Sequence, residues 1–348
     1  MMKKTNLFAV LTLAATPAFL HAQTTSFSDI VGYTTLNVRG KSGSANAFSY
    51  IALNVHRPVA HRGVVGTKSL NGSSQSVIAV SSTFTANQFA GTSNKHYLRV
   101  TSGSNTGLIA EIVSNDTSSI TVADNLNAVL ENGVTPFEIR PYWTLATAFP
   151  AGAGLKAGTS STAADNVTII DPATGTGNSY FYNSSASQWR RGTTDSSSVI
   201  IPPGSGIMVT RKDAAAVAIK ISGEVITSSV LADVAGGTAS AQKFTYVANP
   251  YPVASVTLAQ SGLYTGSSAT GVVGGTSATA ADAVTIFDPT TGTGLSYFYN
   301  TSASQWRRGT TDSSNVTIPD GAAVMITRKA NRGAFEWYIP SPIATINQ

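Results

Sequence analysis

Cysteine is absent from the 348-residue sequence, and charged residues are scarce. Without cysteine no disulfide can hold the chain, so we expect its stability to come from buried apolar side chains and sheet hydrogen bonds. Asp, Glu, Lys and Arg make up 11% of the residues, against roughly 25% in soluble globular domains. The apolar share of 42% is still enough to build packed cores, which excludes a disordered, charge-rich chain.

Long basic segments are also missing. The formal net charge is +5, but no run of Lys and Arg is longer than two residues. A nucleic-acid-binding surface needs a cluster of such residues. We therefore expect no nucleic acid among the partners.

The first 22 residues have the pattern of a secretory signal peptide. Two lysines precede an apolar run at 7–20, and Ala22 is a small residue at the expected cleavage site. The run contains Pro17 and is about 14 residues long, which is too short for a membrane-spanning helix of about 20 residues. No later run approaches that length. We predict an exported protein of the extracellular space, cell surface or periplasm, with no transmembrane helix in the mature chain.

The sequence is rich in Thr, Ser and Gly, which number 44, 42 and 31. All three residue types are poor helix formers. The composition therefore predicts an all-β protein.

An internal repeat dominates the second half of the chain. Residues 164–212 and 281–329 align without a gap, and 37 of the 49 aligned positions are identical. Repeats of this length indicate modules and not the short units of a solenoid. We predict two or three β-sandwich or barrel-like modules in series, the last two of them an internal duplication: the signal peptide 1–22, an N-terminal β module at 23–141, and the repeat modules at 142–243 and 244–348.

Short apolar and aromatic segments inside the repeat are separated by turn residues. Strands are expected at 167–170, 179–182, 188–191, 199–201 and 207–211, with a hairpin loop at 171–177 that contains Asp, Pro and Gly. The spacing is typical of a sandwich or a barrel. In the N-terminal segment, 96–100, 108–113 and 119–122 predict a three-stranded meander.

Several framework motifs resemble a known group of proteins. They are the signal peptide, DIVGYTT at 29–35, FTYVANPYP at 244–252, IPDG at 318–321 and VMI at 324–326. Together these segments resemble a family of uncharacterised exported β-rich proteins of environmental Gram-negative bacteria. The order Asn-Pro-Tyr-Pro, aromatic hairpin, Pro-Gly strand is also similar to β-sandwich modules of bacterial surface proteins. The resemblance implies no catalytic residues.

Catalytic motifs are weak in this sequence. His56, His61 and His96 lack metal-ligand spacing, and no Gly-x-Ser-x-Gly motif occurs. Paired acids could still serve a glycosidase; the candidates are Asp165, Asp171 and Asp195, with their repeat counterparts Asp282, Asp288 and Asp312. Aspartate before proline more commonly caps its own turn. The loops at 171–177 and 288–294 leave Ca²⁺ as a possible ligand, and no other cofactor is expected.

Aromatic and arginine side chains are the main candidates for ligand binding. The possible ligand-binding residues are Tyr180, Tyr182, Trp189 and Arg191, repeated as Tyr297, Tyr299, Trp306 and Arg308. Exposed aromatic rings beside arginine can stack on sugars or hold a protein partner. Alternatively, Trp189 and Phe181 fill the interior and the tyrosines cover a sheet, which is the more common use of such residues.

These patterns predict a function without catalysis. We expect an exported structural or adhesive protein of the cell envelope or extracellular space, not an enzyme, which acts by binding or self-association. The alternative is a carbohydrate-binding surface protein that uses the repeated Tyr/Trp/Arg patches. The possible partners are a second copy of the chain and extracellular polysaccharide.

Overall fold

The computed structural model describes residues 30–92, 94–171, 174–251, 256–288, 291–320 and 322–341. Nearly all regular structure in these residues is β-strand, in several sheets. The predicted all-β fold is therefore confirmed. The predicted signal peptide lies outside the described residues.

The strands are numbered along the chain. Those before residue 142 are β1 (Val31–Val38), β2 (Ala47–Ala52), β3 (His61–Val64), β4 (Lys68–Leu70), β5 (Ser76–Ala79), β6 (Ala90–Gly91), β7 (Asn94–Val100), β8 (Ile109–Asn115), β9 (Ser119–Val122) and β10 (Pro136–Pro141). The first repeat copy contributes β11 (Trp143–Thr144), helix α1 (Leu145–Ala148), a 3₁₀ turn (Pro150–Gly152), β12 (Asn166–Ile170), β13 (Gly177–Asn183), β14 (Gln188–Arg191), β15 (Thr194–Asp195), β16 (Ile200–Ile201), β17 (Gly206–Arg211) and β18 (Val217–Glu224). The remaining strands are β19 (Val230–Val234), β20 (Lys243–Ala248), β21 (Val256–Thr257), β22 (Ala283–Phe287), β23 (Gly294–Asn300), β24 (Gln305–Arg308), β25 (Thr311–Asp312), β26 (Thr317–Ile318), β27 (Ala323–Arg328) and β28 (Phe335–Ile339).

The module boundaries differ from the prediction. Strands β1 and β2 do not fold with the rest of 23–141, because β1 pairs with β18 and β2 pairs with β17 of the first copy. Residues 61–141 instead form a separate sheet that is inserted between β2 and β11. In the same way β19, which was expected to belong to the module at 142–243, pairs with β28 of the second copy. The modules are therefore not simply in series.

The inserted domain is a single sheet with the order β3-β10-β7-β8-β9-β5-β4, and β6 pairs with β7. Strands β7, β8 and β9 form the expected antiparallel meander. Its core consists of apolar side chains from alternate strand positions, with Ile78, Leu98, Ile120 and Ile139 fully buried.

Both repeat copies have the same strand order. The first copy forms the sheet β15-β14-β13-β12-β17-β2 and the second forms β25-β24-β23-β22-β27-β20. A two-stranded ribbon accompanies each sheet, β1-β18 in the first copy and β19-β28 in the second. Side chains of ribbon and sheet share one buried cluster in each copy, so each copy has a two-layered core.

The hairpin between β13 and β14 is built in the same way in both copies. Ser187 and Ser304 adopt left-handed backbone conformations, with φ of 52° and 51°. The side-chain oxygen of Asn183 accepts a hydrogen bond from the Ala186 amide at 2.9 Å, and Asn300 does the same for Ala303. Asparagine thus satisfies the turn amides, as expected for a residue that favours turns.

The two copies meet along a seam with reciprocal contacts. Ser205 bridges to Val247, and Ile51 bridges to Ala322. By strand register Ile51 of β2 corresponds to Val247 of β20, and Ser205 corresponds to Ala322, so each contact is the counterpart of the other. An interface in which each partner uses the same patch is isologous. The copies are therefore related by an approximate two-fold axis within one chain.

Aromatic rings and a glycine fill the seam. The rings of Tyr50 and Tyr246, which are equivalent residues, lie 5.4 Å apart, and Tyr50 stacks on Phe287 at 3.5 Å. A Cβ atom on Gly206 would lie 2.5 Å from the Cβ atom of Ala323. Such close approach requires glycine, because a larger residue would push the two sheets apart.

Candidate functional site

The predicted aromatic platform is largely part of the core. Trp189 and Trp306 are 1% and 2% exposed, and Tyr180 and Tyr297 are buried beside them. These four side chains therefore pack in the interior, as in the alternative interpretation, and do not form an exposed platform. On β13 the face that carries Tyr180 and Tyr182 is the one that packs against the core, whereas Phe181 lies on the other face.

The remaining members of the predicted set lie at the surface or near it. Tyr182 and Tyr299 are half-buried, and Arg191 and Arg308 are exposed. The arginines end β14 and β24 and do not join the buried aromatic cluster. Each predicted patch is thus divided between the core and the solvent.

The two equivalent tryptophans differ in one hydrogen bond. The indole Nε1 of Trp189 donates to the carbonyl oxygen of Phe149 at 3.1 Å. Trp306 Nε1 has no acceptor among the described residues. In the first copy α1 and the 3₁₀ turn place Phe149 next to the indole, with the ring centroids 6.0 Å apart.

A glycine takes the place of Phe149 in the second copy. Leu145 and Leu258 are equivalent, since their amides donate to the carbonyls of Val199 and Val316 at 3.0 and 2.9 Å. Counting forward, Phe149 corresponds to Gly262. Gly262 has a positive φ of 68°, and a Cβ atom there would lie 2.8 Å from the carbonyl oxygen of Tyr338. A cavity of about 230 Å³ lies beside Trp306.

We call this space the aromatic cavity. Its polar and aromatic lining residues are Tyr264, Tyr299, Ser304, Gln305, Trp306 and Ser314. Tyr264 stacks on Tyr299 with ring centroids 3.5 Å apart, and Tyr299 lies edge-on to Trp306 at 5.8 Å. Tyr264 and Gly262 were missed in the sequence, although an alignment of the residues before each repeat would have placed Phe149 opposite Gly262.

The candidate acids serve three separate structural roles. Asp165 and Asp282 form buried ion pairs with Arg211 and Arg328, the second with a distance of 2.7 Å between Arg328 Nη1 and Asp282 Oδ2. Burial with a paired arginine leaves these carboxylates no access to a substrate.

Asp195 and Asp312 are exposed residues at the ends of β15 and β25, just before a turn. Each accepts a hydrogen bond from the backbone amide two residues later, Ser197 or Ser314, at 2.9 Å. Hydrogen bonds from the backbone and side chain of these serines lower the pKa of both carboxyls. A stabilised carboxylate of this kind is suited to holding a turn.

Asp171 and Asp288 start the predicted hairpin loops. Thr174 Oγ1 donates to Asp171 at 2.8 Å, and the Thr291 amide donates to Asp288 at 3.2 Å. Residues 172–173 and 289–290 of the predicted Ca²⁺ loops lie outside the described residues. Within the described part of the chain, no three His, Cys, Asp or Glu residues are grouped closely enough to hold a metal ion.

A second cavity lies where the inserted domain and both copies meet. Its volume is about 260 Å³, and we call it the acidic cleft because its ionisable lining residues are Glu111, Asp124, Asp171, Asp233 and Glu336. Burial, with Asp124 nearby, raises the pKa of Asp233. Burial, with Asp233 and Asp124 nearby, raises that of Glu336. Asp233 and Glu336 could have been noticed as the acids inside two otherwise apolar strand segments.

Facing acids also occur in glycoside hydrolases, where one carboxyl is protonated and the other is ionised. In such sites the two environments shift the two pKa values in opposite directions. In the acidic cleft both shifts have the same direction and the same main cause. The Asp233–Glu336 pair therefore lacks this differentiation.

A buried ion network links the inserted domain to the rest of the chain. Glu138 of the inserted domain accepts from Arg140 Nε at 2.6 Å and from Arg99 Nη1 at 3.1 Å. Arg140 also contacts Glu224 of β18 at 2.7 Å. Arg99 Nη2 donates to the carbonyl oxygen of Ser229, just before β19 of the second copy, at 3.0 Å. Because its charges are balanced and buried, the network fixes the relative placement of the parts.

His56 is enclosed by this network and not by a metal site. Its Nδ1 lies 2.9 Å from the hydroxyl of Tyr97. Burial disfavours the charged ring, and the neighbouring Arg99 and Arg140 add repulsion, so the pKa of His56 lies well below its usual value. His56 is therefore a neutral structural residue.

Comparison with family models, curated proteins and solved structures finds no match to this chain. Among the described residues, no helix is long and apolar enough to cross a membrane.

His56 makes the stability of the fold depend on pH. The unfolded imidazole takes up a proton below about pH 6.5, whereas the folded ring stays neutral to lower pH. The stability is thus complete above pH 6.5 and falls below it, by up to about 1.4 kcal/mol per pH unit from this residue. Urea unfolding at pH 7.5, 6.5 and 5.5 measures this effect. The free energy of unfolding of His56→Gln should change less with pH than that of the wild type.

The control is His61→Gln, since His61 is only partly buried and the pKa of its ring is lowered by burial alone. In this variant the free energy of unfolding should keep most of its dependence on pH. Equal slopes for the wild type and His56→Gln would contradict the assignment of His56 as a buried neutral group.

Proposed function

We propose that the chain is an exported adhesive protein of the cell surface or its surroundings, which acts by binding and not by catalysis, and that the aromatic cavity binds carbohydrate. The predicted signal peptide and the resemblance to modules of bacterial surface proteins support the location. The single observation that carries the binding function is the unpaired indole Nε1 of Trp306 inside the aromatic cavity.

The lining of the aromatic cavity suits a sugar ring. The indole N–H of Trp306 has no acceptor among the described residues, so it is available to donate a hydrogen bond to a ligand oxygen. The rings of Tyr264 and Tyr299 supply apolar wall, and Ser304 and Gln305 supply polar groups. Sugars present both apolar C–H faces and hydroxyls, which match such a mixed lining.

The size of the cavity limits what enters it. A volume of about 230 Å³ is below the roughly 300–1,000 Å³ of sites for drug-sized ligands. We therefore infer that one sugar ring of a polysaccharide enters the cavity, while the neighbouring rings stay outside. A single-ring contact is weak, and adhesion then requires many chains to act together on one surface.

Replacing Trp306 with Phe should weaken sugar binding. The variant keeps an aromatic ring but loses the N–H donor, and one net hydrogen bond is worth about 1 kcal/mol, or roughly a fivefold change in affinity. Titration calorimetry with a panel of soluble oligosaccharides (cello-, chito-, malto- and xylohexaose) measures the affinity.

Trp189→Phe is the matched control, because its indole N–H is already bonded to the carbonyl oxygen of Phe149. This variant should bind like the wild type. No heat of binding with any panel member, or equal weakening in both variants, would contradict a sugar site at Trp306.

A second candidate function is self-association through β1. Among the described residues β1 pairs only with β18, so its other edge is free for a second copy. Val31 and Tyr33 of this strand are 71% and 74% exposed, and the preceding Ile30 is 60% exposed. An unprotected apolar edge strand readily pairs with another chain.

Sedimentation of the mature protein tests this association. We expect the mass to rise from monomer to dimer with concentration, and Tyr33→Lys should keep the protein monomeric because a charged edge disfavours pairing. Val134→Lys, at an equally exposed position of the inserted domain, should associate like the wild type. A wild-type protein that stays monomeric at all concentrations would exclude this function.

A further inference from the structure

The acidic cleft is lined by all three parts of the chain. Glu111 and Asp124 come from the inserted domain, Tyr142 and Asp171 from the first copy, and Asp233 and Glu336 from the second. The cleft therefore exists only when the three parts are assembled, and it lies apart from the aromatic cavity.

The lining of the cleft carries five carboxylates and no Lys or Arg. One of them is balanced from outside the lining, since Lys95 Nζ lies 2.6 Å from Glu111 Oε1. Within the described residues, Asp124, Asp233 and Glu336 form no ion pair. The cleft thus has an excess of negative charge.

Two of these carboxylates oppose each other directly. Asp233 of β19 and Glu336 of β28 are register partners in an antiparallel ribbon. Like charges in this arrangement destabilise a sheet. A neutral or oppositely charged pair would make the ribbon more stable. The two acids therefore destabilise it.

A buried tyrosine points to a ligand independently of the acids. Tyr142 is 6% exposed and lines the cleft. Its ring packs on Tyr97, with centroids 4.8 Å apart, but its hydroxyl has no hydrogen-bond partner among the described residues. The hydroxyl is not among the fully enclosed polar atoms that lack a partner, so it borders open space. The space that it faces is the cleft.

The chemistry of the walls distinguishes the type of cation. A divalent metal needs several oxygens around one point, and no such group of three acids occurs in the described part of the chain. The rest of the lining is largely apolar and includes Ile109, Ile200, Pro202 and Leu231. Such walls suit an aliphatic chain that ends in a positive charge.

We propose that the acidic cleft binds a primary alkylammonium group, with its methylenes on the apolar wall and its charge between Asp233, Glu336 and the Tyr142 hydroxyl. Such a group occurs in a lysine side chain of a partner and in free polyamines. The site is separate from the aromatic cavity. Amine binding in the cleft and sugar binding in the cavity can therefore be tested independently of each other.

Titration calorimetry with cadaverine and with Nα-acetyl-lysinamide tests the site, each beside its uncharged acetylated form, N,N′-diacetylcadaverine or Nα,Nε-diacetyl-lysinamide. We expect both amines to bind the full-length mature protein and the acetylated forms not to bind. Tighter binding of cadaverine would identify a free polyamine as the natural source, and tighter binding of the lysine derivative would identify a partner's side chain.

The double variant Asp233→Asn/Glu336→Gln should bind at least about tenfold more weakly, since hydrogen bonds to charged groups are worth about 1.5–3 kcal/mol. Tyr142→Phe should bind the amines about fivefold more weakly, because it lacks the hydroxyl. Asp320→Asn, which changes an exposed carboxyl outside the cleft, should bind like the wild type.

Thermal unfolding separates a lost site from a lost fold. The double variant removes the opposed charges, so its unfolding midpoint should be equal to or above that of the wild type. Weakened binding with a raised or equal midpoint supports the proposal. Equal binding of amine and acetylated probe, unchanged affinity in the double variant, or a lowered midpoint would each overturn it.

Discussion

The close approach of the two repeat copies is the constraint on which the rest of the structure depends. At the seam Gly206 lies against Ala323, and the equivalent residues Tyr50 and Tyr246 meet near the approximate two-fold axis. This packing sets the ribbon of the second copy against the first copy and the inserted domain, where the acidic cleft forms. The buried ion network around Glu138 then fixes the inserted domain at the same junction.

Near-identical sequences nevertheless give two unlike copies. The tryptophans are equivalent and buried in both, but Trp189 donates to the Phe149 carbonyl, whereas Trp306 has no acceptor among the described residues and lines the aromatic cavity. The difference is local, because both copies keep the same strand order and each has one buried cluster. One copy therefore keeps a structural role, whereas the other gains a cavity. The inserted domain adds a further asymmetry, since it interrupts the first copy alone.

The sequence predicts local structure better than the partners of each strand. The predicted strands at 167–170 and 188–191 correspond to β12 and β14, because alternating apolar residues and turn residues are local signals. The pairing of β1 with β18 was missed, since contacts across a long insertion leave no local pattern. A period of two places Tyr180 and Tyr182 on one face but does not reveal which face another layer covers. Asp233 and Glu336 meet only through long-range register.

A disulfide across the seam tests the packing of the two copies most directly, and the chain has no cysteine of its own to interfere. Ser205 and Val247 are bridge partners, and antiparallel partners have Cα atoms about 4.5–5.5 Å apart, within the usual disulfide range. The double variant Ser205→Cys/Val247→Cys should therefore oxidise within one chain and lose both free thiols, while each single variant keeps one. Two free thiols in the folded, oxidised double variant would contradict the reciprocal seam.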